Sequence, residues 1–176
     1  YKSFFYERLA FDEIFSSYLI HSEIRKKIKK IKKKRKVFNL KKQNEVIDNL
    51  DFKLTKDQIS ALNEINKDLI SNQKMFRLLQ GDVGSGKTIV ALISAINVIE
   101  SGFQVAVMAP TEILARQHFL LAKKLFKSSL NIDLLTSKSQ YKEKKRILNG
   151  LQDNSINLIF GTHSIFQNKV KFKKIG

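Results

Sequence analysis

The sequence predicts an α/β fold, in which helices cover a parallel β-sheet and a long basic helix precedes it. Four apolar runs have the length of β-strands: 75–79, 104–109, 131–135 and 156–160. Three helical stretches alternate with them: 87–100, 111–127 and 140–151. This alternation is typical of parallel sheets, because the connection between parallel strands is usually a helix.

Residues 4–36 are predicted to form one long helix, since they contain neither glycine nor proline. Apolar side chains recur at helical spacing in its first half, at Phe5, Leu9, Ile14 or Phe15, and Tyr18 or Leu19. Its second half, residues 25–36, has ten basic residues in twelve and no acidic one. A thin apolar stripe continues there at Ile24, Ile28 and Ile31. We therefore predict that one face packs and that the rest is solvated.

The next residues, 37–51, read as a polar connector, and we place a domain boundary there. The chain then divides into a helical, basic extension at 1–51 and an α/β region at 52–176. Because it begins at Tyr1 rather than at methionine, we expect the chain to be part of a longer protein.

The charge balance is strongly basic. Thirty-three Lys and Arg against sixteen Asp and Glu give a formal net charge of +17. This excess favours a polyanionic partner, with nucleic acid preferred over a membrane surface. A second explanation stays open, because the codons of lysine, isoleucine and asparagine are A/T-rich and base composition alone could raise the lysine content. For residues 25–36, contact with DNA phosphates and a solvated helix face therefore remain alternatives.

Several classes of protein are excluded. The absence of cysteine rules out disulfide frameworks and cysteine-ligated metals, and it fits a reducing cytoplasm. The three histidines, His21, His118 and His163, lack the spacing of a metal site. No apolar run is long enough to cross a bilayer and no signal-peptide pattern occurs, so we expect no membrane association.

The stretch GDVGSGKT at 81–88 contains three of the chain's seven glycines and fits the phosphate-binding pattern G-x-x-x-x-G-K-[ST]. Glycines let successive backbone N–H groups turn toward a phosphate, and the next helix points its positive end at the same anion. Lys87 is expected to contact the β- and γ-phosphates, and Thr88 to bind Mg²⁺; these two are the candidate catalytic residues. The cofactor contacts are assigned to the whole loop: Gly81, Asp82, Val83, Gly84, Ser85, Gly86, Lys87 and Thr88.

The helix predicted before this loop, residues 55–70 with Thr55 as N-cap, carries a candidate adenine contact. The amide of Gln58 can donate to adenine and accept from it at the same time. The alternative is that Gln58 is an ordinary surface residue of the helix. Phe52, at the start of the same stretch FKLTKDQ, is included among the cofactor-binding residues.

Two turns after predicted strands are candidates for nucleic-acid contact. Pro110, Thr111 and Glu112 follow the second apolar run, and Gly161 and Thr162 follow the last one. Ligands bind at the carboxyl ends of parallel strands, and the free N–H groups of such turns can hold nucleic-acid phosphates. Ordinary capping of the following helix is the alternative for both turns.

Four motifs in this order, FKLTKDQ, GDVGSGKT, APTEILARQH and GTHSIFQ, resemble the first motor domain of superfamily 2 helicases. More narrowly, LLQGDVGSGKT with MAPTEILARQH resembles the RecG family of bacterial ATP-dependent DNA helicases, and ERLAFDEIF is similar to the helical segment before their motor. The resemblance implies a partial RecA-like sheet that binds ATP and Mg²⁺, with Gln58 on adenine. It places five residues along the DNA or in support of its loops: Pro110, Thr111, Glu112, Gly161 and Thr162. Branched, duplex and single-stranded DNA are the implied partners, and we expect a monomer in the bacterial cytoplasm.

The chain departs from the family's pattern at one position and stops before another. Leu-Thr-Ser-Lys at 135–138 stands where the family tends to have Leu-Thr-Gly-Ser, so we expect the backbone at Ser137 to differ. The family's Asp-Glu pair, which holds Mg²⁺ and activates water, is expected on a strand after Gly176. Residues 52–176 would then be the N-terminal part of the ATP-binding domain, and this chain alone should not hydrolyse ATP.

The function predicted is that of a piece of an ATP-dependent DNA helicase that remodels branched DNA, such as forks and Holliday junctions, in recombination and repair. Three alternatives stay open. They are a translocase like the transcription-repair coupling factor, a non-motor P-loop kinase, and a basic nucleic-acid-binding module whose P-loop match is accidental.

Overall fold

A computed structural model describes residues 4–30, 35–127 and 129–176, and it confirms the α/β fold. The helices are α1 (Phe4–Lys30), α2 (Lys41–Asp48), α3 (Lys56–Ile70), α4 (Lys87–Glu100), α5 (Glu112–Phe126) and α6 (Tyr141–Asp153). The strands are β1 (Val105–Met108), β2 (Ile132–Leu135) and β3 (Leu158–Gly161), and a 3₁₀ turn follows at His163–Phe166. The three strands form a parallel sheet in the order β1-β3-β2.

The central strand, β3, is buried on both faces, which explains why its sequence is uniformly apolar. Successive side chains of a strand point to opposite faces of the sheet. Leu158 and Phe160 accordingly pack in a core formed with side chains of α4 and α5. Ile159 packs in a second core, formed with side chains of α6 and of the 3₁₀ turn. Helices therefore cover both faces of the sheet.

The N-terminal helix is shorter and more exposed than the sequence predicts. Helix α1 ends at Lys30, and residues 35–39 are not helical. Residues 31–34, which are Ile31 and three lysines of the basic run, lie outside the described residues. Phe5, Tyr18 and Ile24 are all exposed. The predicted packed face is therefore wrong for these side chains of α1, although Ile14 and Tyr18 line a shallow cavity together with residues 76–78.

The segment after α1 is held against the α/β region. Arg35 Nε donates to Ile70 O at 3.0 Å, and Lys36 N donates to Leu69 O at 3.2 Å, so both meet the last turn of α3. The Lys36 side chain is buried, with Nζ 3.1 Å from the centroid of the Phe103 ring. Lys36 is thus a packing residue of the fold, whereas Arg35 stays exposed and binds α3 through one hydrogen bond.

The prediction of a polar connector at 37–51 is wrong, because these residues include α2. The buried amide of Gln43 on α2 accepts hydrogen bonds from Asn66 of α3 at 3.0 Å and from Asn97 of α4 at 2.6 Å. Asn97 also donates to Asn66 Oδ1 at 2.7 Å. These three side chains form an amide cluster that joins α2 to the two longer helices.

The strand predicted at 75–79 is also wrong. Residues 74–80 have no strand pairing, and Phe76 and Leu78 are 70% and 80% exposed. A parallel strand needs a neighbour that accepts its backbone hydrogen bonds. Among the described residues, the outer edge of β1 is paired only at its start, through a parallel bridge between Gln104 and Ile175.

Candidate nucleotide-binding site

The loop at 81–88 has the conformation that its glycines permit. Gly84 and Gly86 have φ angles of +81° and +79°, in the left-handed region that other residues rarely adopt. Gly86 is the N-cap of α4, which begins at Lys87. The left-handed turn therefore brings the loop directly onto the positive end of a helix of fourteen residues.

The ammonium group of Lys87 lies on the inner side of this loop. Its Nζ donates to Gly81 O at 2.7 Å, to Asp82 O at 2.6 Å and to Ser85 Oγ at 3.3 Å. The first glycine is also closely approached, since a Cβ at Gly81 would lie 2.8 Å from Ser85 Oγ. The loop thus encloses a positive charge that is held by oxygen atoms, and an anion at this position would be attracted to it.

Helix α3 contacts the loop through Gln58. Thr55 and Gln58 form a capping box, in which Thr55 Oγ1 accepts from Gln58 N at 3.2 Å and Gln58 Oε1 accepts from Thr55 N at 2.9 Å. Gln58 Nε2 donates to Ser85 O at 2.9 Å. Gln58 is therefore both a cap of α3 and a neighbour of the phosphate-binding loop, and its contact with adenine remains a prediction.

A cavity of about 480 Å³ opens between α3 and the loop. Its lining includes Gln58, Gly81, Asp82, Ser85 and Lys87, so half of the predicted cofactor residues meet at one place. The volume lies within the range of small-molecule sites, about 300–1,000 Å³.

Several predicted cofactor residues lie outside the lining of this cavity. Thr88 is half-buried in the first turn of α4, and Val83 at the tip of the loop is fully exposed. Phe52 is half exposed and precedes the capping box without contributing to the cavity wall. Base contact by Phe52 and Mg²⁺ binding by Thr88 remain predictions.

The predicted DNA-contacting turns share one edge of the sheet, because β1, β2 and β3 are parallel and their carboxyl ends coincide. Thr111 Oγ1 accepts from Leu114 N at 3.3 Å and so caps α5, as the capping alternative required. Glu112 Oε2 lies 3.9 Å from Lys138 Nζ, which links this turn to the turn after β2. Pro110, Thr111 and Glu112 are therefore positioned beside residues 136–138.

The turn after β3 has a steric need for glycine. A Cβ at Gly161 would lie 2.2 Å from Leu135 O, so this position holds two strand ends closely together. Ser164 Oγ donates to the same Leu135 O at 3.0 Å, and Thr162 Oγ1 is 3.5 Å from Ser164 Oγ. Ser137 is not among the non-glycine residues with positive φ, so its turn needs no glycine.

Acidic groups for metal binding do not gather in the described ranges 4–30, 35–127 and 129–176. No group of three or more His, Cys, Asp or Glu there could hold a metal ion. The sequence has one Asp-Glu pair, Asp12 and Glu13, and both residues are exposed on α1.

In the described ranges 4–30, 35–127 and 129–176, no helix combines the length and the apolarity that a membrane crossing requires.

Sequence reasoning missed two residues that make several hydrogen bonds, one just before the phosphate-binding loop and one just before β1. Arg77, in the segment leading to the loop, pairs with Asp68 and Glu64 of α3, and the hydrogen bonds that it donates to these carboxylates raise the pKa of Arg77. The buried side chain of Gln104 binds only backbone atoms from distant parts of the chain. Neither belongs to a recognisable motif, and only the glutamine among apolar residues at 103–109 could have drawn attention.

Comparisons with known proteins agree with this site. A sequence profile of the DEAD/DEAH box helicases matches residues 55–176. The ATP-dependent DNA helicase RecG of Aquifex aeolicus is 41% identical over 98% of this chain, and RecG of Thermotoga maritima is 43% identical over 97%. RecG of Borreliella burgdorferi is 47% identical over 74% of the chain.

The chain spans only about a fifth of these relatives, covering 22% of the first two and 19% of the third. A solved structure of RecG bound to a three-way DNA junction matches 97% of this chain and 24% of its own, with 43% identity and a TM-score of 0.87. The profile match begins at Thr55, the N-cap of α3, and includes the whole phosphate-binding loop. This chain belongs to the DEAD/DEAH box helicase family.

Proposed function

We propose that this chain is the nucleotide-binding part of an ATP-dependent DNA helicase that unwinds and remodels branched DNA in recombination and repair. The observation that carries the proposal is the position of the Lys87 ammonium inside a loop shaped by two left-handed glycines. The similarity to RecG, including a structure bound to a DNA junction, supports the choice of DNA as the partner.

In this proposal the triphosphate binds within the loop 81–88. Backbone N–H groups and Lys87 bind the β- and γ-phosphates, and the amino end of α4 adds its positive dipole. Lys87 then exchanges the carbonyl oxygens of Gly81 and Asp82 for phosphate oxygens, which are stronger acceptors because they are charged. Mg²⁺ would neutralise phosphate charge when bound, with Thr88 as one of its ligands.

Gln58 is the proposed adenine contact, with Phe52 beside it. An amide oxygen has two lone pairs and an amide nitrogen has two hydrogens. The capping bond to Thr55 and the bond to Ser85 use one of each. Gln58 thus has the remaining capacity to bind a base while it holds the loop, so base binding and loop position would be coupled.

The DNA is proposed to follow the carboxyl edge of the sheet, along the turns that contain Pro110, Thr111, Glu112, Gly161 and Thr162. The basic composition of the chain fits this partner. The acting protein is proposed to be a monomer of the bacterial cytoplasm.

The test uses the full-length protein that contains this chain and measures ATP hydrolysis with and without a three-way DNA junction. Lys87→Ala should lower the DNA-stimulated rate by ~10²–10³-fold, because a charge on the transferring phosphoryl group is lost. Lys124→Ala, on an exposed lysine of α5, is the matched control and should keep the wild-type rate. An unchanged rate of ATP hydrolysis in Lys87→Ala would contradict the proposal. So would a wild-type rate that is the same with and without the DNA junction, and this second result would favour a non-motor P-loop enzyme.

A further inference from the structure

We infer that Gln104 is a positioning residue, which fixes the register of residues 173–176 along the outer edge of β1. This edge leads to the carboxyl end of the sheet, where the proposed DNA contacts lie. The inference rests on the proposed function, because it concerns the placement of groups for ATP hydrolysis.

The Gln104 carboxamide is 1% exposed and makes four hydrogen bonds, all with main-chain atoms. Its Nε2 donates to Leu151 O at 3.0 Å and to Ile156 O at 2.9 Å. Its Oε1 accepts from Lys173 N at 3.0 Å and from Lys174 N at 3.2 Å. Both hydrogens and both lone pairs of the amide are therefore engaged. One side chain joins the end of α6, the entrance of β3 and the segment at 173–174.

The main chain of Gln104 holds the same segment. Its N–H donates to Lys174 O at 2.7 Å, and its carbonyl accepts from Gly176 N at 2.9 Å. This pair of bonds forms the parallel bridge between Gln104 and Ile175. Residues 174–176 thus lie along the free edge of β1 and run parallel to it at this bridge.

Gly176 provides a second, independent constraint on this register. A Cβ at Gly176 would lie 2.2 Å from Val98 Cγ1 and 3.0 Å from Phe103 Cβ. If the segment slipped by one residue, Ile175 or the residue after Gly176 would have to occupy this place. A side chain does not fit there unless α4 moves, so slippage is opposed sterically as well as by the Gln104 bonds.

The register matters because the strands are parallel. Met108, the last residue of β1, is four positions after Gln104. A strand that continues from Ile175 in the full-length protein would reach the same end of the sheet after the same four positions. A slip of one residue moves the strand by ~3.3 Å and turns its side chains to the other face. A misplacement of ~1 Å at a catalytic site can already cost ~10²-fold in rate. Gln104 would therefore determine the rate of hydrolysis without contacting the nucleotide.

The experiment compares three variants of the full-length protein. Gln104→Met keeps side-chain volume and removes all four side-chain hydrogen bonds. Gly176→Ala disturbs the same register from the opposite side. Gln43→Met is the matched control, since Gln43 is an equally buried amide whose partners lie on α3 and α4. The readouts are kcat and KM for DNA-stimulated ATP hydrolysis and hydrogen exchange at the amides of Lys173, Lys174 and Gly176.

The expected result is a loss of at least ~10-fold in kcat for Gln104→Met and Gly176→Ala, with KM for ATP within ~2-fold of wild type. Exchange at 173–176 should accelerate in both variants, whereas Gln43→Met should keep the wild-type kcat. Unchanged kcat in both test variants, or an equal loss in Gln43→Met, would overturn the inference. If the wild-type protein itself lacked ATPase activity, the proposed function would fail, and hydrogen exchange would still test the role of Gln104. Unchanged protection of the amides at 173–176 in Gln104→Met would overturn that role. Gly176→Ala supplies both readouts should Gln104→Met not fold.

Discussion

The close approach of the Gln58 side chain to Gly86 allows a quantitative test of why the phosphate-binding loop needs glycine at position 86. In Gly86→Ala, the new Cβ would lie 2.4 Å from Gln58 Nε2, at a residue with φ of +79°. The Gln58 amide is the far end of a flexible side chain and can move aside. It would then lose its bonds to Ser85 O and to Thr55 N.

The expected cost follows from these two effects. A non-glycine residue in the left-handed region costs about 1–2 kcal/mol. Two lost hydrogen bonds at a half-exposed site add about 1–2 kcal/mol, the lower part of the usual range, because water replaces part of them. Gly86→Ala should therefore lower the free energy of unfolding by about 2–4 kcal/mol. Gly84→Ala, with φ of +81° and no atom within 4 Å of the new Cβ, should show the backbone cost alone.

The assay is urea unfolding followed by circular dichroism, with the slope m checked for each variant. In the Gln58→Ala background the clash is absent, so Gly86→Ala should cost only about 1–2 kcal/mol there. Equal losses for Gly84→Ala and Gly86→Ala in the wild-type background would refute the reasoning. So would an undiminished cost of Gly86→Ala once Gln58 is removed.

Two further predictions concern the N-terminal segment and the end of α6. Lys36→Ala should lower the free energy of unfolding by about 2 kcal/mol, the value of a desolvated cation–π contact, because Lys36 is buried over Phe103. The control Lys124→Ala, at an exposed lysine, should change the free energy of unfolding by less than about 0.5 kcal/mol. Equal losses for the two variants in urea unfolding would contradict the prediction. Hydrogen bonds from Ser155 lower the pKa of Asp153. The ionised Asp153 therefore stabilises the fold at pH values above the ordinary carboxyl pKa, and this stabilisation is lost as the pH falls through the lower pKa of the folded state. Asp153→Asn should remove this contribution, and the gap between wild type and variant in urea unfolding should close in acid; a gap that does not change with pH would contradict it.

The helices that cover the sheet could be predicted from sequence because local signals agree with their packing. Helix α5 has Thr111 as N-cap and an apolar face that joins the core of β3. The phosphate-binding loop was equally predictable, since its glycines occupy positions where the backbone itself requires them. In these elements the information lies within a few neighbouring residues.

The elements that the sequence did not predict correctly depend on distant partners. Residues 75–79 have strand-like composition, yet they remain unpaired because strand formation requires a neighbour. Helix α2 has a polar sequence, and its buried Gln43 is explained only by Asn66 and Asn97, which lie far along the chain. The capping role of Gln58 could have been read from the spacing of Thr55 and Gln58, whereas its bond to Ser85 could not.

The amide cluster of Gln43, Asn66 and Asn97 has a consequence for how the protein opens. Removing any one of the three helices takes one hydrogen-bond partner from each of the two remaining amides, and a buried polar group left unsatisfied costs about 1–3 kcal/mol. Asn97 Oδ1 already has no hydrogen-bond partner among the described residues, so losing a further hydrogen bond would add a second unsatisfied polar group to the cluster. Helix α2 is only eight residues long, too short to persist by itself. It should therefore unfold and refold together with α3 and α4 as one cooperative unit.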